Sequence, residues 1–262
     1  MKFKIHLNFI IQYFLRDLKN KYSGSFFGLS WSIISPLIMI TLYAVIFSNI
    51  FTLKLGVDDS VFNYVNYLCR GIIAWNLLAE FINQTLNIFR LNSNLIKKLN
   101  IFKIHLLISS MFSSLFNFFI ILGIFFLYLL VTQQNNLNFN ILLLIFVVCV
   151  QIIFIFSLGL ILSSLNVFLP DVEHFFKIFL QLWFWMSPIV YPITIIPEFF
   201  KIVLSFNPFF YFLKYYQDIF VYKTITGIFT IELLIIYLLN LIFLIFSLFF
   251  YNKVKKYIVD EV

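Results

Sequence analysis

Charged residues are scarce in this sequence, and their scarcity decides the class of protein. Only 11% of the 262 residues are charged, 63% are hydrophobic, and the mean hydropathy is +1.02. About a quarter of the residues of a soluble globular domain are charged, so water would not solvate a soluble fold of this composition. The sequence therefore predicts an integral membrane protein.

Alternation of apolar and polar residues, the pattern of an outer-membrane barrel strand, is also missing. The apolar residues form long runs instead, and a lipid-exposed backbone outside a closed barrel satisfies its hydrogen bonds only as a helix. A span needs about 20 residues, so the length allows about six. We predict an all-α integral membrane protein with six transmembrane helices in a single domain, residues 1–262. The predicted spans are residues 29–51, 65–89, 104–131, 139–168, 176–192 and 229–251.

Motifs for binding nucleotides or metals are absent from the sequence. There are only seven glycines and no G-x-x-x-x-G-K-[ST] run, so any ATP must be hydrolysed by another chain. His6, His105 and His174 lack the H-x-x-x-H spacing of a metal site. Cys69 and Cys149 lie far apart in apolar runs. We therefore predict no catalytic residue, metal or cofactor on this chain.

Basic residues occur in short clusters between the apolar runs. The net charge is +7, but clusters of this kind are topology signals, so we do not expect nucleic-acid binding. When the predicted spans are threaded through a membrane, most of the 18 Lys and Arg residues fall on one side. Because cytoplasmic loops carry the excess of basic residues, both termini are expected to be cytoplasmic.

The predicted membrane region is flanked by two segments of different character. Residues 1–28 are predicted to form an amphipathic helix on the cytoplasmic interface, followed by a turn, and residues 252–262 a cytoplasmic tail. Between them, residues 29–251 form the six-helix region, in which residues 193–226 are broken by prolines and are predicted to form short re-entrant helices. The apolar face of the amphipathic helix contains Phe3, Leu7, Ile10, Phe14 and Leu18.

Two kinds of residue within the membrane region are candidates for function. Glu80 lies near the middle of the second predicted span, where a charge costs a few kcal/mol, so it either faces a pore or is hydrogen-bonded in the packing. Arg70, in the same span, is expected to reach its outer edge. Aromatic residues crowd the outer half and form either a headgroup belt or the lining of a channel or gate. These aromatic candidates are Trp183, Trp185, Tyr191, Tyr211 and Tyr215.

A series of short motifs extends along most of the chain. They are residues 13–19 and 22–28 with Trp31, residues 67–71 with Trp75 and Asn76, residues 94–98, Asn166 and Val167 with Asp171 and Val172, residues 187–192, and Asn207 with Pro208. In their order and spacing they resemble the permease subunits of ABC transporters that export O-antigen, teichoic acid and related polysaccharides.

The resemblance implies partners and sites for this chain. Two permease copies would form a homodimer in the inner (cytoplasmic) membrane of a bacterium, with ATP and Mg²⁺ bound by separate ATPase subunits, to export lipid-linked polysaccharide. The implied ATPase interface comprises Arg16, Asp17, Lys19, Arg90, Asn94, Lys97 and Lys98. The anionic lipid anchor would be attracted by Arg16, Lys19 and Lys21, since each basic residue near the surface contributes about 1 kcal/mol.

Three other classes of function can be compared with the same sequence features. An exporter of a drug or a small lipid would have the same general architecture and would need no aromatic track. A membrane glycosyltransferase would need grouped carboxylates, but the predicted loops hold only Asp58 with Asp59 and Asp171 with Glu173. A simple membrane anchor would not explain the proline-broken outer segment.

Overall fold

The computed structural model describes residues 2–51, 61–98, 103–131, 141–219 and 231–261. Within these ranges the regular structure is helical and no strand is present, as predicted. Asp58 and Asp59 of the predicted loops lie outside the described residues. The helices are α1 (Lys2–Tyr22), α2 (Trp31–Phe51), α3 (Val61–Thr85), α4 (Ile88–Leu91), α5 (Ser93–Lys98), α6 (Ile104–Val131), α7 (Ile141–Phe168), α8 (Asp171–Met186), α9 (Glu198–Ser205), α10 (Pro208–Ile219), α11 (Ile231–Val254) and α12 (Tyr257–Glu261).

Three of the described helices are long and apolar enough to cross a membrane. They are α6, α7 and α11, whose apolar stretches cover Ile104–Val131, Leu143–Phe168 and Leu234–Val254. The α2 helix contributes a shorter apolar stretch, and α3 is long but contains several polar residues. The structure thus supports a multi-pass helical membrane protein, while the count of six spans stays a prediction.

The α8 helix differs from the fifth predicted span, residues 176–192. It begins at Asp171, where acidic residues in the first turn interact favourably with the positive end of the helix dipole. It ends at Met186 because Pro188 disfavours helical geometry in the residue before it, and Ser187 is extended. The helix is therefore 16 residues long, and the chain continues from it as irregular backbone.

The α3 helix lies at the centre of the main hydrophobic core. It contacts α2, α6, α7, α8 and α10, and Tyr64, Leu68 and Phe81 on it are fully buried. Gly159 on α7 permits one of these contacts, because a Cβ there would lie 2.6 Å from the Phe81 ring. Since α3 is surrounded by protein, several of its polar residues, among them Tyr64 and Glu80, find hydrogen-bond partners inside the bundle.

A second hydrophobic cluster joins both ends of the chain. Its buried members include Tyr13 on α1, Ile88 and Phe89 on α4, and Ile258 on α12. Residues of α6, α7 and α11 complete it, and Leu95 and Ile96 of α5 pack against it. The N-terminal helix, the α4–α5 connection and the C-terminal helix therefore lie at the same end of the bundle, which we call the terminal end.

The α1 helix packs along α6, so only part of its apolar surface is left exposed. Phe14 makes edge contacts with Phe112 and Phe116 on α6, at ring-centroid distances of 6.5 and 6.3 Å. Nearer its start, the His6 ring stacks on His105 with centroids 4.8 Å apart. Of the predicted apolar face, Ile10, Phe14 and Leu18 are partly buried and Leu7 is exposed, while the side chain of Phe3 lies outside the described residues.

Candidate functional site

A cavity of about 840 Å³ lies between α2, α3, α6 and α8, and we call it the polar groove. Polar side chains inside a helical membrane bundle face the protein interior or a water-filled space, so the groove is the candidate route for a hydrophilic cargo. Its polar lining is Lys21, Ser25, Ser32, Ser35, Asn76, Glu80, Asn83, Asn117, Lys177 and Gln181. Its aromatic lining is Trp31, Tyr43, Trp75, Phe184 and Trp185.

Glu80 is the centre of a hydrogen-bond network in the wall of this groove. The Lys21 ammonium lies 2.5 Å from Glu80 Oε1, and Gln84 Nε2 donates to the same oxygen at 3.0 Å. Asn117 of α6 also donates to it. Ser114 donates to Gln84 Oε1 at 3.3 Å, which extends the network along α6. One carboxylate thus connects α1, α3 and α6.

The position of Glu80 along its helix differs from the position predicted from the sequence. The second predicted span ran to residue 89, which placed Glu80 near its middle, whereas α3 runs from Val61 to Thr85. Glu80 is therefore within two turns of the C-terminal end of α3, where α1 approaches. From the sequence, Glu80 either faces a pore or is hydrogen-bonded in the packing. These alternatives are not exclusive, because the side chain both lines a cavity and is hydrogen-bonded to its neighbours.

The predicted gate aromatics do not share one surface. Trp185 is exposed and lines the polar groove. Trp183 and Tyr215 are buried in the core, and the Trp183 indole N–H donates to Asn207 Oδ1 at 2.8 Å. Tyr211 lines a separate, largely apolar cavity of about 900 Å³ next to α9 and α11. Tyr191 is partly buried, and its hydroxyl donates to the Trp185 carbonyl at 2.8 Å.

Sequence reasoning missed a set of α3 side chains that hold the irregular segment at residues 187–192. The Tyr64 hydroxyl donates to the Val190 carbonyl at 2.9 Å. The Tyr67 hydroxyl lies 2.8 Å from the Pro188 carbonyl and 2.9 Å from the Tyr191 carbonyl. Non-helical backbone inside a helical bundle is tolerated where protein groups satisfy its hydrogen bonds, and these tyrosines do so for residues 187–192. The signal in the sequence is the spacing of the two tyrosines, which places them on one face of a helix.

Arg70 is turned inward and does not reach the outer edge of its helix. Only 7% of the residue is exposed, and Nη1 donates to the Gln217 carbonyl of α10 at 3.1 Å. Gln217 Nε2 in turn donates to the Pro188 carbonyl at 3.2 Å. Arg70 therefore fastens α10 to α3, and α10 is also tied to α7 by a 2.8 Å hydrogen bond from Tyr216 to Gln151.

The residues predicted to bind an ATPase lie at the terminal end, and most of them are exposed. Asp17 is partly buried. The Arg16 guanidinium lies 4.5 Å from the centroid of the Tyr13 ring and donates to Asn92 Oδ1 at 3.3 Å, which links α1 to the α4–α5 connection. Burial raises the pKa of Tyr13 above its ordinary value. The exposed members are Arg16, Lys19, Arg90, Asn94, Lys97 and Lys98.

Of the three residues predicted to attract an anionic lipid anchor, one differs from the others because it forms an ion pair within the protein. Arg16 and Lys19 are exposed on α1. Lys21 is in the ion pair with Glu80, so its charge is largely committed within the protein. It also lines the polar groove, a position that no local sequence pattern predicts.

Comparison with known proteins relates this geometry to transport. Residues 9–221 match the family of ABC-2 type transporters. Over 261 residues the chain is 28% identical to RfbA, an O-antigen export system permease protein of Klebsiella pneumoniae. The aligned region covers 97% of this chain and 96% of that protein. A protein of the same name from Myxococcus xanthus is 25% identical over 207 residues, covering 78% of this chain and 77% of that protein. A family match over most of the chain, on a helical bundle with a polar groove, shows that this protein belongs to the ABC-2 type transporter family.

Proposed function

We propose that this chain is the channel-forming subunit of an ATP-driven exporter that moves lipid-linked polysaccharide of the O-antigen, capsule or teichoic acid type. The cytoplasmic membrane is the proposed location, with both termini in the cytoplasm. The proposal rests on the polar groove with its aromatic walls, found in a chain whose relatives are named O-antigen export permeases. Since those relatives are permeases, the chain is proposed to be a transport subunit and not an enzyme.

The chemistry of the groove suits a sugar polymer. Sugar hydroxyls both donate and accept hydrogen bonds, and the amides of Asn76, Asn83 and Gln181 do the same. Sugar rings also have flat apolar faces, which pack on aromatic side chains such as Trp31 and Trp185. Both kinds of contact are individually weak, as a sliding polymer requires.

A second copy of the chain is proposed to cover the groove. Lys177 and Gln181 on α8 and Asn83 on α3 line the groove and are exposed in the single chain. Placing polar groups against hydrocarbon costs free energy, so these positions favour a partner protein or water over lipid. A homodimer in which the two grooves face each other would enclose one passage.

The energy source is proposed to be a separate ATPase subunit that binds ATP and Mg²⁺. The terminal end is the proposed docking surface, because it presents exposed basic side chains on both α1 and α5. Hydrolysis on the partner would then move the α4–α5 connection, which the Arg16–Asn92 hydrogen bond links to α1.

The substitution Ala79→Trp tests the route directly, because Ala79 lines the polar groove and an indole there would project into the groove and narrow it. We expect surface polysaccharide to fall at least tenfold in cells whose only copy of the chain carries the change. Leu127→Trp, on the exposed surface of α6, is the matched control and should export normally. Membrane levels of both variants are measured by immunoblot. Normal export by Ala79→Trp would refute the proposed route.

Export of a drug or small lipid is the second candidate, and one feature favours it. The cavity of about 900 Å³ is lined almost entirely by apolar side chains, among them Phe154, Met186, Leu239 and Phe243. If an apolar cargo used it, Leu239→Trp would block export and Ala79→Trp would not. The proposed function requires the opposite pattern, so the same two variants separate the candidates.

A further inference from the structure

We infer that the C-terminal helix α12 is part of the surface that binds the ATPase subunit, beside the α4–α5 connection. The inference rests on the proposed function, since it requires an ATPase partner. The sequence predicted only a cytoplasmic tail at residues 252–262, and the predicted interface was confined to α1 and residues 90–98.

The position of α12 is fixed by burial. Ile258 is fully buried in the cluster that contains Ile88 and Phe89 of α4, and α12 contacts both α5 and α7. Lys103, at the start of α6, donates a hydrogen bond to the carbonyl of Lys255 in the turn before α12. The helix is therefore a built part of the terminal end, next to the helix already proposed to dock the ATPase.

The outward side of this region has the composition of a protein interface. Tyr257 on α12 is 62% exposed and Leu91 beside α5 is 76% exposed. Exposed lysines accompany them on both elements, with Lys97 and Lys98 on α5 and Lys256 before α12. Large side chains within a polar surround, tyrosine especially, supply most of the binding energy in protein interfaces.

A protein explains this surface better than a lipid headgroup layer does. An anionic membrane surface attracts Lys and Arg, but the lysines before α12 are followed within the helix by Asp260 and Glu261, which it would repel. The α11 helix has 24 residues and is about 36 Å long, which exceeds a hydrocarbon core of about 30 Å. The chain beyond Val254 can therefore project from the membrane toward a partner.

The arrangement also gives the ATPase a second mechanical connection. Only Lys255 and Lys256 separate α12 from α11, and α11 packs along α7. Force on α5 reaches α3 and α6 through the chain itself. Force on α12 would reach α11 and α7. An ATPase that contacts both α5 and α12 would therefore act on α3 and α6 as well as on α7 and α11.

The test uses the full permease–ATPase complex, purified from membranes through a tag on the permease. In the double variant Lys256→Glu/Tyr257→Ala we expect the amount of ATPase retained per permease to fall about tenfold, which corresponds to a loss of about 1.4 kcal/mol of binding free energy. Phe249→Ala removes an exposed aromatic side chain from α11 and is the matched control, which should retain the ATPase. Lys97→Glu/Lys98→Glu is the reference for the proposed docking surface.

The outcomes separate the inference from the proposed function. If the Lys97/Lys98 variant loses the ATPase and the Lys256/Tyr257 variant keeps it, the role of α12 is refuted and the proposed docking stands. If neither variant loses it, docking at the terminal end is refuted. A photocrosslinking phenylalanine analogue placed at position 257 covers the case in which a variant fails to fold. Crosslinking to the ATPase supports the inference, and crosslinking only to lipid, or to neither, refutes it.

Discussion

Breaking the ion pair between Lys21 and Glu80 tests how the first helix is held against the bundle. Lys21→Met removes the cation but leaves Glu80 with two amide donors, from Gln84 and Asn117. Glu80→Met removes the shared acceptor and leaves the Lys21 ammonium and both amides without it. In the combined variant Lys21→Glu/Glu80→Lys the charges are exchanged, and the two amides can accommodate the exchange because each can donate or accept.

The expected magnitude follows from how far the pair is buried. The Lys21 side chain is 33% exposed and that of Glu80 is 19% exposed. Surface pairs contribute about 0–1 kcal/mol, and removing one partner of a fully buried pair costs about 3–5 kcal/mol. A partly buried, hydrogen-bonded pair lies between these limits, so we expect Lys21→Met to cost about 2 kcal/mol. For a chain of this size, that lowers the unfolding midpoint by about 4–8 °C.

The assay is thermal unfolding of the purified protein in detergent, followed by the loss of the folded elution peak. Lys19→Met is the matched control, because Lys19 is exposed in the same turn and should leave the midpoint unchanged. The exchanged double variant should recover most of the loss. The cycle of Lys21→Met, Glu80→Met and Lys21→Met/Glu80→Met should give a coupling energy of about 1–2 kcal/mol. Equal midpoints for Lys21→Met and wild type, or additive losses in Lys21→Met/Glu80→Met, would refute the ion pair as a structural link.

Two further substitutions test the packing around α3. Gly159→Leu should lower the unfolding midpoint by more than 5 °C, since even a Cβ would be 2.6 Å from the Phe81 ring, whereas Gly123→Leu meets open space and should be neutral. Similar midpoints for the two would contradict the close approach of α7 to α3. Tyr67→Phe should cost about 1 kcal/mol in denaturant unfolding, because the carbonyls of Pro188 and Tyr191 lose a shared donor while Gln217 still donates to that of Pro188. An unchanged midpoint would contradict that contact.

The helices most visible in the sequence are long and uniformly apolar. The predicted span 104–131 coincides with α6, and the predicted span 139–168 differs from α7 by two residues at its start. Both are runs of apolar residues bounded by polar ones, and hydropathy predicts the ends of such runs well. The α3 helix begins and ends four residues earlier than predicted, because its polar residues are satisfied inside the bundle and blur that signal.

The candidate site depends on contacts that no local pattern encodes. Lys21 and Glu80 are 59 residues apart, and each was assigned a separate role from the sequence because periodicity identifies a face but not its partner. The same holds for Trp183, whose hydrogen bond to Asn207 places it in the core. The aromatic candidates were predicted in the outer half of the membrane region, whereas the groove is lined partly by Trp31 and Trp75, which come early in the sequence.

Transport by the purified complex tests the central claim most directly. The permease and its ATPase are reconstituted together in vesicles, lipid-linked polysaccharide is supplied on the ATPase side, and its arrival on the other side is measured. We expect movement that requires ATP and both subunits, no ATP turnover by the permease alone, and loss of movement with Ala79→Trp. Movement without the ATPase, or undiminished movement with the groove narrowed by Ala79→Trp, would contradict the claim that this chain provides the passage and its partner the energy.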